Sequence, residues 1–318
     1  MQEPARLQRL LLATDLSSRS DRAFHRAAEL ARTNKALLTV LHVIPDELNP
    51  DYADALKTSA KAALEKQVSQ EMAAGEFNVN IAVKGGLDEE AILKQVREGA
   101  ARGDFSVEVR IEAGSIYDII IQTADAANAD LIICGVHHRL MIGDEWLGST
   151  IDRVLRFGNR PVLVVKSEPE NSYKSIVVGV DFSEASAEAL AFAYAAFPSA
   201  KFTLLNAVES SFSGFLSGAD ASQEAFEKRR EDLRRFSEAA LSRAKAASVA
   251  GAPEVALEVR QGAAVSALDQ YVTEHKADLV VVGTHGRTGL RRAILGSVAE
   301  SSIARLPCDV LAVRPQSA

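Results

Sequence analysis

Cysteine is nearly absent from this chain: there are two in 318 residues, Cys134 and Cys308. That excludes a disulfide framework, and each lies within or beside an apolar run, which reads as a buried free thiol in a reducing compartment. Positive charge is also short, with 36 lysines and arginines against 43 acidic residues and a net charge of −7. Nucleic-acid binders usually carry a basic excess, so that class of partner is set aside. No apolar run approaches the length needed to cross a bilayer, so no membrane partner is expected. Nor does a basic start followed by an apolar stretch and a small-residue cleavage site open the sequence. The expected location is the cytoplasm. Two catalytic signatures are missing as well, the Gly-x-Ser-x-Gly elbow with its partners and the Gly-x4-Gly-Lys-Ser/Thr loop.

What is present is one unit written twice. Leu10-Leu-Leu-Ala-Thr-Asp15-Leu-Ser17 matches Ile176-Val-Val-Gly-Val-Asp181-Phe-Ser183. Each run is a strand ending in Asp, and an Ala-rich amphipathic helix follows, over residues 21–32 and 184–196. Second strands are expected at 37–44 and 202–208, and long charged helices at about 54–74 and 223–248. In the second of these helices Phe226, Leu233, Phe236 and Leu241 have the spacing of a sheet-facing stripe. Its cluster of Lys228, Arg229, Arg230, Arg234 and Arg235 reads as a solvated face. Third strands fall at 107–111 and 255–259, fourth strands at 130–135 and 278–283, and last strands at 162–165 and 310–313.

Strands alternating with helices predict an α/β protein: two tandem doubly wound domains, each a five-stranded parallel sheet with helices on both faces. The domains are expected at residues 1–168 and 173–318, joined by a short polar linker containing a proline. From Asp15 to Gly135 is 120 residues, against 102 from Asp181 to Gly283, so the first copy carries 18 more. The surplus is placed around residues 77–90, including Gly85-Gly86.

The most informative stretch follows the fourth strand of the second copy: Gly283-Thr-His-Gly286, nine residues, then Gly296-Ser297. Glycines just past an apolar strand let the backbone approach a bound group. Free N–H groups of the loop and of the next helix's first turn can then hold phosphate. Ser297 can cap that helix and donate to a phosphate oxygen. Arg287, Arg291 and Arg292 add positive charge, and Asp181, at another strand end, can accept from ribose hydroxyls.

This pattern, joined to the Val-Asp181-Phe-Ser183 start, resembles the ATP-binding pattern of the universal stress protein family, and nearly the whole chain resembles its tandem two-domain members. The resemblance implies a Rossmann-like five-stranded α/β fold per domain and ATP, with Mg2+ as an optional companion. By position, Asp181 and the backbone at Val208 would contact the nucleoside. Gly283, Gly286, Gly296, Ser297 and Val298 would surround the phosphates. The implied function is a cytoplasmic, nucleotide-linked stress-response module. In this family single domains pair through their last strands, which implies such a pair within one chain; whether chains pair again as a homodimer stays open.

The first copy departs from the pattern. Gly135-Val-His-His138, nine residues, then Gly148-Ser149 keeps the spacing but puts His138 where the second glycine stands. Asp144 and Glu145 occupy the positions of Arg292 and Ala293, adding negative charge beside a phosphate site. Both changes predict that ATP is confined to the second copy. Cys134, His137 and His138 suit zinc by residue type, but no fourth ligand is evident, so no metal is expected. His285 reads as a loop-packing residue, and Ser17 and Ser183 as helix caps. With no catalytic set and no lysine in the glycine run, weak ATP hydrolysis is the most expected of the chain. A slow ATPase or ATP-using transferase, and a nucleotide-free interaction platform, stand as alternatives.

Overall fold

A computed structural model of the chain describes residues 7–17, 20–46, 50–72, 78–80, 106–136, 149–208, 219–245, 254–284 and 295–315. They divide into two compact units, one reaching Ser172 and the other starting at Tyr173.

The first unit runs β1 (Arg9–Thr14), α1 (Ser20–Asn34), β2 (Leu37–Ile44), α2 (Pro50–Met72), β3 (Asn78–Asn80), β4 (Ser106–Ala113), α3 (Ile116–Ala126), β5 (Leu131–Gly135), α4 (Ser149–Phe157) and β6 (Val162–Val165). The second runs β7 (Ser175–Gly179), α5 (Glu184–Ala196), β8 (Lys201–Val208), α6 (Ala219–Lys245), β9 (Val255–Gln261), α7 (Ala264–His275), β10 (Leu279–Gly283), α8 (Ser297–Arg305) and β11 (Asp309–Val313).

Strand order is β3-β4-β2-β1-β5-β6 in the first unit and β11-β10-β7-β8-β9 in the second. Neighbours within each unit pair in parallel. Each chain segment starts at a central strand, winds outward to one side, then returns and winds to the other. The reversal falls between β1 and β5 in one unit and between β7 and β10 in the other. The central strands are apolar without alternation because both faces are covered. Leu10, Leu11 and Leu12 of β1 and Leu279, Val280 and Val281 of β10 are all buried.

The expected α/β architecture is present, with one addition. Among the described residues the second unit has five strands, whereas the first gains β3, three residues that pair with Ser106, Val107 and Glu108 of β4. These are the described part of the 77–90 surplus; the rest of that stretch, with Gly85 and Gly86, lies outside the described residues.

Matching acids tie the strand starts in both units. Asp130 Oδ2 accepts from Gln8 N and Arg9 N, each at 2.8 Å. Asp278 Oδ2 accepts from Lys174 N at 2.5 Å and Ser175 N at 3.1 Å. Burial raises the Asp130 pKa above the ordinary carboxylate value, against the two backbone donors, which lower it. The polar segment after β6 docks on α1. Arg22 Nη1 donates to Lys166 O and Arg26 Nη1 to Asn171 O, both at 2.8 Å, while Ser172 Oγ donates to Glu29 at 2.5 Å and His25 bonds Glu168.

Candidate functional site

In the second unit the site is assembled at the carboxyl ends of β7 and β10, the pair that flanks the reversal of strand order. Val178 and Val281 are register partners, so Asp181, three residues on, and Gly283, two residues on, emerge side by side. Doubly wound sheets leave a crevice at this point, because successive helices depart to opposite faces.

Asp181 is half-buried and sits in a local turn. Its Oδ1 accepts from Ser183 N at 3.0 Å and from Ser183 Oγ at 2.5 Å. Phe182 between them has φ +65°, the left-handed region that a bulky side chain avoids. The two Asp–Ser bonds hold it there, as an Asx turn does. Ser183 then caps α5, its Oγ accepting from Ser186 N at 3.2 Å. The Phe182 ring meets Phe236 of α6 edge-on at 5.6 Å, and the Arg229 guanidinium lies 5.5 Å from the Phe182 centroid. Part of the basic stretch of α6 is therefore stacked on an aromatic ring as well as solvated.

Gly283 is required for a reason that spacing alone did not supply. A Cβ built there would stand 2.8 Å from the carbonyl carbon of Ala185 and 2.9 Å from its oxygen. The first turn of α5 rests directly on β10, and the small residues Ala185, Ser186, Ala187 and Ala189 let it come that close. The glycine thus serves helix–strand contact, whatever it does for a ligand.

Past Gly283, Thr284 N donates to Val313 O at 2.9 Å, and Gly296 N donates to Thr284 O at 2.7 Å. The second bond closes the loop and sets the start of α8 beside the end of β10. Gly296 is the N-cap, with φ −64° and ψ 140° and no side-chain cap. The expectation that Ser297 caps the helix is corrected: Ser297 is its first helical residue, and the cap position has no side chain to offer. First-turn N–H groups of a helix have no partner inside the helix, and here, among the described residues, none is taken by an N-cap side chain. Ser297 is exposed and Val298 half-buried. Val208 ends β8, and its carbonyl accepts from Gly262 N at 3.0 Å.

The structure therefore brings Asp181, Gly283, Gly296, Ser297 and Val298 to one end of the sheet, with Val208 at the end of the adjoining strand. Gly286, Arg287, His285, Arg291 and Arg292 lie outside the described residues.

The first unit repeats the turn. Ser17 N and Oγ donate to Asp15 Oδ1 at 3.0 and 2.7 Å, and Leu16 has φ +60°. Thr14 Oγ1 adds a bond, accepting from Leu16 N at 3.1 Å. Asp15 is exposed, unlike Asp181. Ser20 N, at the start of α1, donates to the Ser17 carbonyl at 2.9 Å. His137, His138, Asp144, Glu145 and Gly148 lie outside the described residues. Cys134 is buried in β5, and burial pushes its thiol up to about 12.

Sequence reasoning passed over two residues beside these turns. His42 Nδ1 bonds Thr14 O at 3.0 Å, and Asn206 Nδ2 donates to Val180 O at 2.7 Å. The available signal was a polar residue set inside an apolar strand, in Leu41-His42-Val43 and Leu205-Asn206-Ala207.

Comparison with known proteins follows the same lines. The Universal stress protein family model matches twice, over residues 6–166 and 172–314. A universal stress protein of Methanocaldococcus jannaschii is 33% identical over 148 residues, 46% of this chain and 84% of that protein. A universal stress protein structure from Archaeoglobus fulgidus covers 98% of this chain and 100% of its own, with a TM-score of 0.59 at 19% identity. Another universal stress protein, solved in complex with cAMP, is 30% identical over 45% of this chain, with a TM-score of 0.34. With both halves matched end to end, the chain belongs to the universal stress protein family.

Proposed function

We propose that the second unit binds ATP, one molecule per chain, and that the protein acts as a nucleotide-linked regulatory module of the stress response in the cytoplasm. The observation that carries this reading is the Gly296–Thr284 bond. It sets a helix start without a capping side chain beside the strand end next to Asp181. A helix start of this kind favours anions through its N–H groups and dipole.

The residues fit the group. Backbone N–H groups at Ser297 and Val298, with the Ser297 hydroxyl, would take phosphate oxygens. Gly283, Gly286 and Gly296 keep side chains out of the way, and Arg287 supplies positive charge. Asp181 would accept from the ribose hydroxyls, and the backbone at Val208 would meet the nucleoside. ATP, with or without Mg2+, would supply the phosphate charge and ribose hydroxyls that these groups meet. This chain's part is to bind and orient it; among the described residues, none at the site is placed as a base for hydrolysis. Occupancy would then alter stability or partner contacts.

Intact protein purified without added ligand tests the reading. Denaturation should release ATP, and incubation with ATP should give phosphate at close to the background rate. Robust multiple turnover would favour an ATP-using enzyme instead. Neither bound nucleotide nor measurable affinity would favour an interaction platform.

A further inference from the structure

Asn206 and His42 occupy the same place in the two halves. His42 is the register partner of Thr14, and the ladder that pairs Gly179 with Leu205 puts Asn206 beside Val180. Each lies two residues before the end of its strand. Those end residues match as well: Ile44 O accepts from Gly114 N at 2.9 Å and Val208 O from Gly262 N at 3.0 Å, and both glycines have positive φ. From this shared position an imidazole and an amide, chemically unlike, make the same bond, to the carbonyl directly ahead of the turn aspartate.

That carbonyl has leverage. A peptide unit is planar, so fixing Val180 O fixes the plane that carries the Asp181 nitrogen. Only the rotation about the Asp181 N–Cα bond is then left to set the direction in which its side chain leaves the backbone. The strained Phe182 and the two Ser183 bonds to Asp181 are built on it in turn.

The amide is also retained against a cost. Asn206 is 4% exposed, and its Oδ1 has no partner among the described residues. A buried acceptor left unpaired is destabilising, and an apolar residue would continue the strand's pattern without it. Something the Nδ2 bond does must offset that.

We propose that Asn206 is a positioning residue of the nucleotide site, a clamp on the end of β7 that aims Asp181 into the crevice, and that His42 is the same clamp in the first half. The claim on affinity rests on the ATP reading above; the claim on the turn does not.

The test compares full-length wild type, Asn206→Leu and Asn206→His, by ATP titration and by amide exchange at Ser183, whose N–H is held by Asp181. Asn206→Leu should lose about tenfold in ATP affinity, the scale of one buried hydrogen bond, and Ser183 should exchange faster. Asn206→His, which installs the first half's solution, should restore both. A leucine variant with unchanged affinity and exchange would overturn the clamp, as would a folded histidine variant as defective as the leucine one. If Asn206→Leu does not fold, Asn206→His decides alone: it must keep Ser183 protected. If wild type binds no ATP, the ATP reading fails, and Ser183 exchange still decides whether the clamp exists.

Discussion

Two bulky residues, Leu16 and Phe182, sit in the left-handed region at equivalent points of the two halves. Each such residue costs on the order of 1 kcal/mol or more and persists only where its surroundings impose it. Here the imposing groups are Asp15 and Ser17, and Asp181 and Ser183. Since both halves keep the turn, it does not by itself distinguish a working site from a silent one. Gly283 shows a second residue-scale constraint. Gly283→Ala would drive a methyl into the backbone of Ala185, which cannot rotate away. We expect the variant to be destabilised by about 1–3 kcal/mol, the usual cost of overpacking. Chemical denaturation checks this, and an unchanged midpoint would mean that α5 does not rest on β10 as described.

At the scale of elements, the sheets are held by buried parallel strands, and the helices by a few specific polar ties. Tyr194 of α5 is one, fully buried, edge-on to Phe202 at 4.7 Å and bonded to Ser237 of α6 at 3.0 Å. Arg260 of β9 is another, reaching Glu274 of α7 at 2.6 Å and Glu258 at 3.0 Å. The hydrogen bond from Arg260 lowers the Glu274 pKa below its ordinary value. A carboxylate whose folded pKa is depressed stabilises the fold above its unfolded pKa, near 4.3, and that contribution is lost as pH falls through the folded pKa. Glu274→Gln should therefore lower the melting temperature slightly at pH 7 and by less at pH 3. Equal differences at both pH values would contradict the assignment.

Much of this scale was legible in the sequence. The apolar run of β6 and the helix Glu184–Ala196 have the expected bounds, because continuous apolar runs and a serine cap mark them plainly. β3 was not legible: Asn78-Val79-Asn80 is short and polar, and only its partner β4 makes it a strand. The Gly296 cap was misassigned to Ser297 because either residue type can start a helix, and the choice depends on where Thr284 O lies. At Asn206 a polar residue inside an apolar strand marked the position but not the bond it makes. Its partner is a backbone carbonyl 26 residues away, which no side-chain pattern reveals.

For the whole molecule, duplication explains why so much of the geometry occurs twice, from the acid-tied strand starts to the Asp–Ser turns. The difference in the second loop glycine, Gly286 against His138, and in the acids Asp144 and Glu145 is the basis for expecting unequal halves. The direct measurement is the stoichiometry of ATP binding by calorimetry on the full chain, wild type beside Gly296→Val. Gly296 has backbone angles open to any residue, so its side chain can be added without forcing the chain into a left-handed turn. The account predicts one ATP per wild-type chain and none for a folded Gly296→Val; two per wild-type chain, or one retained by the variant, would contradict it.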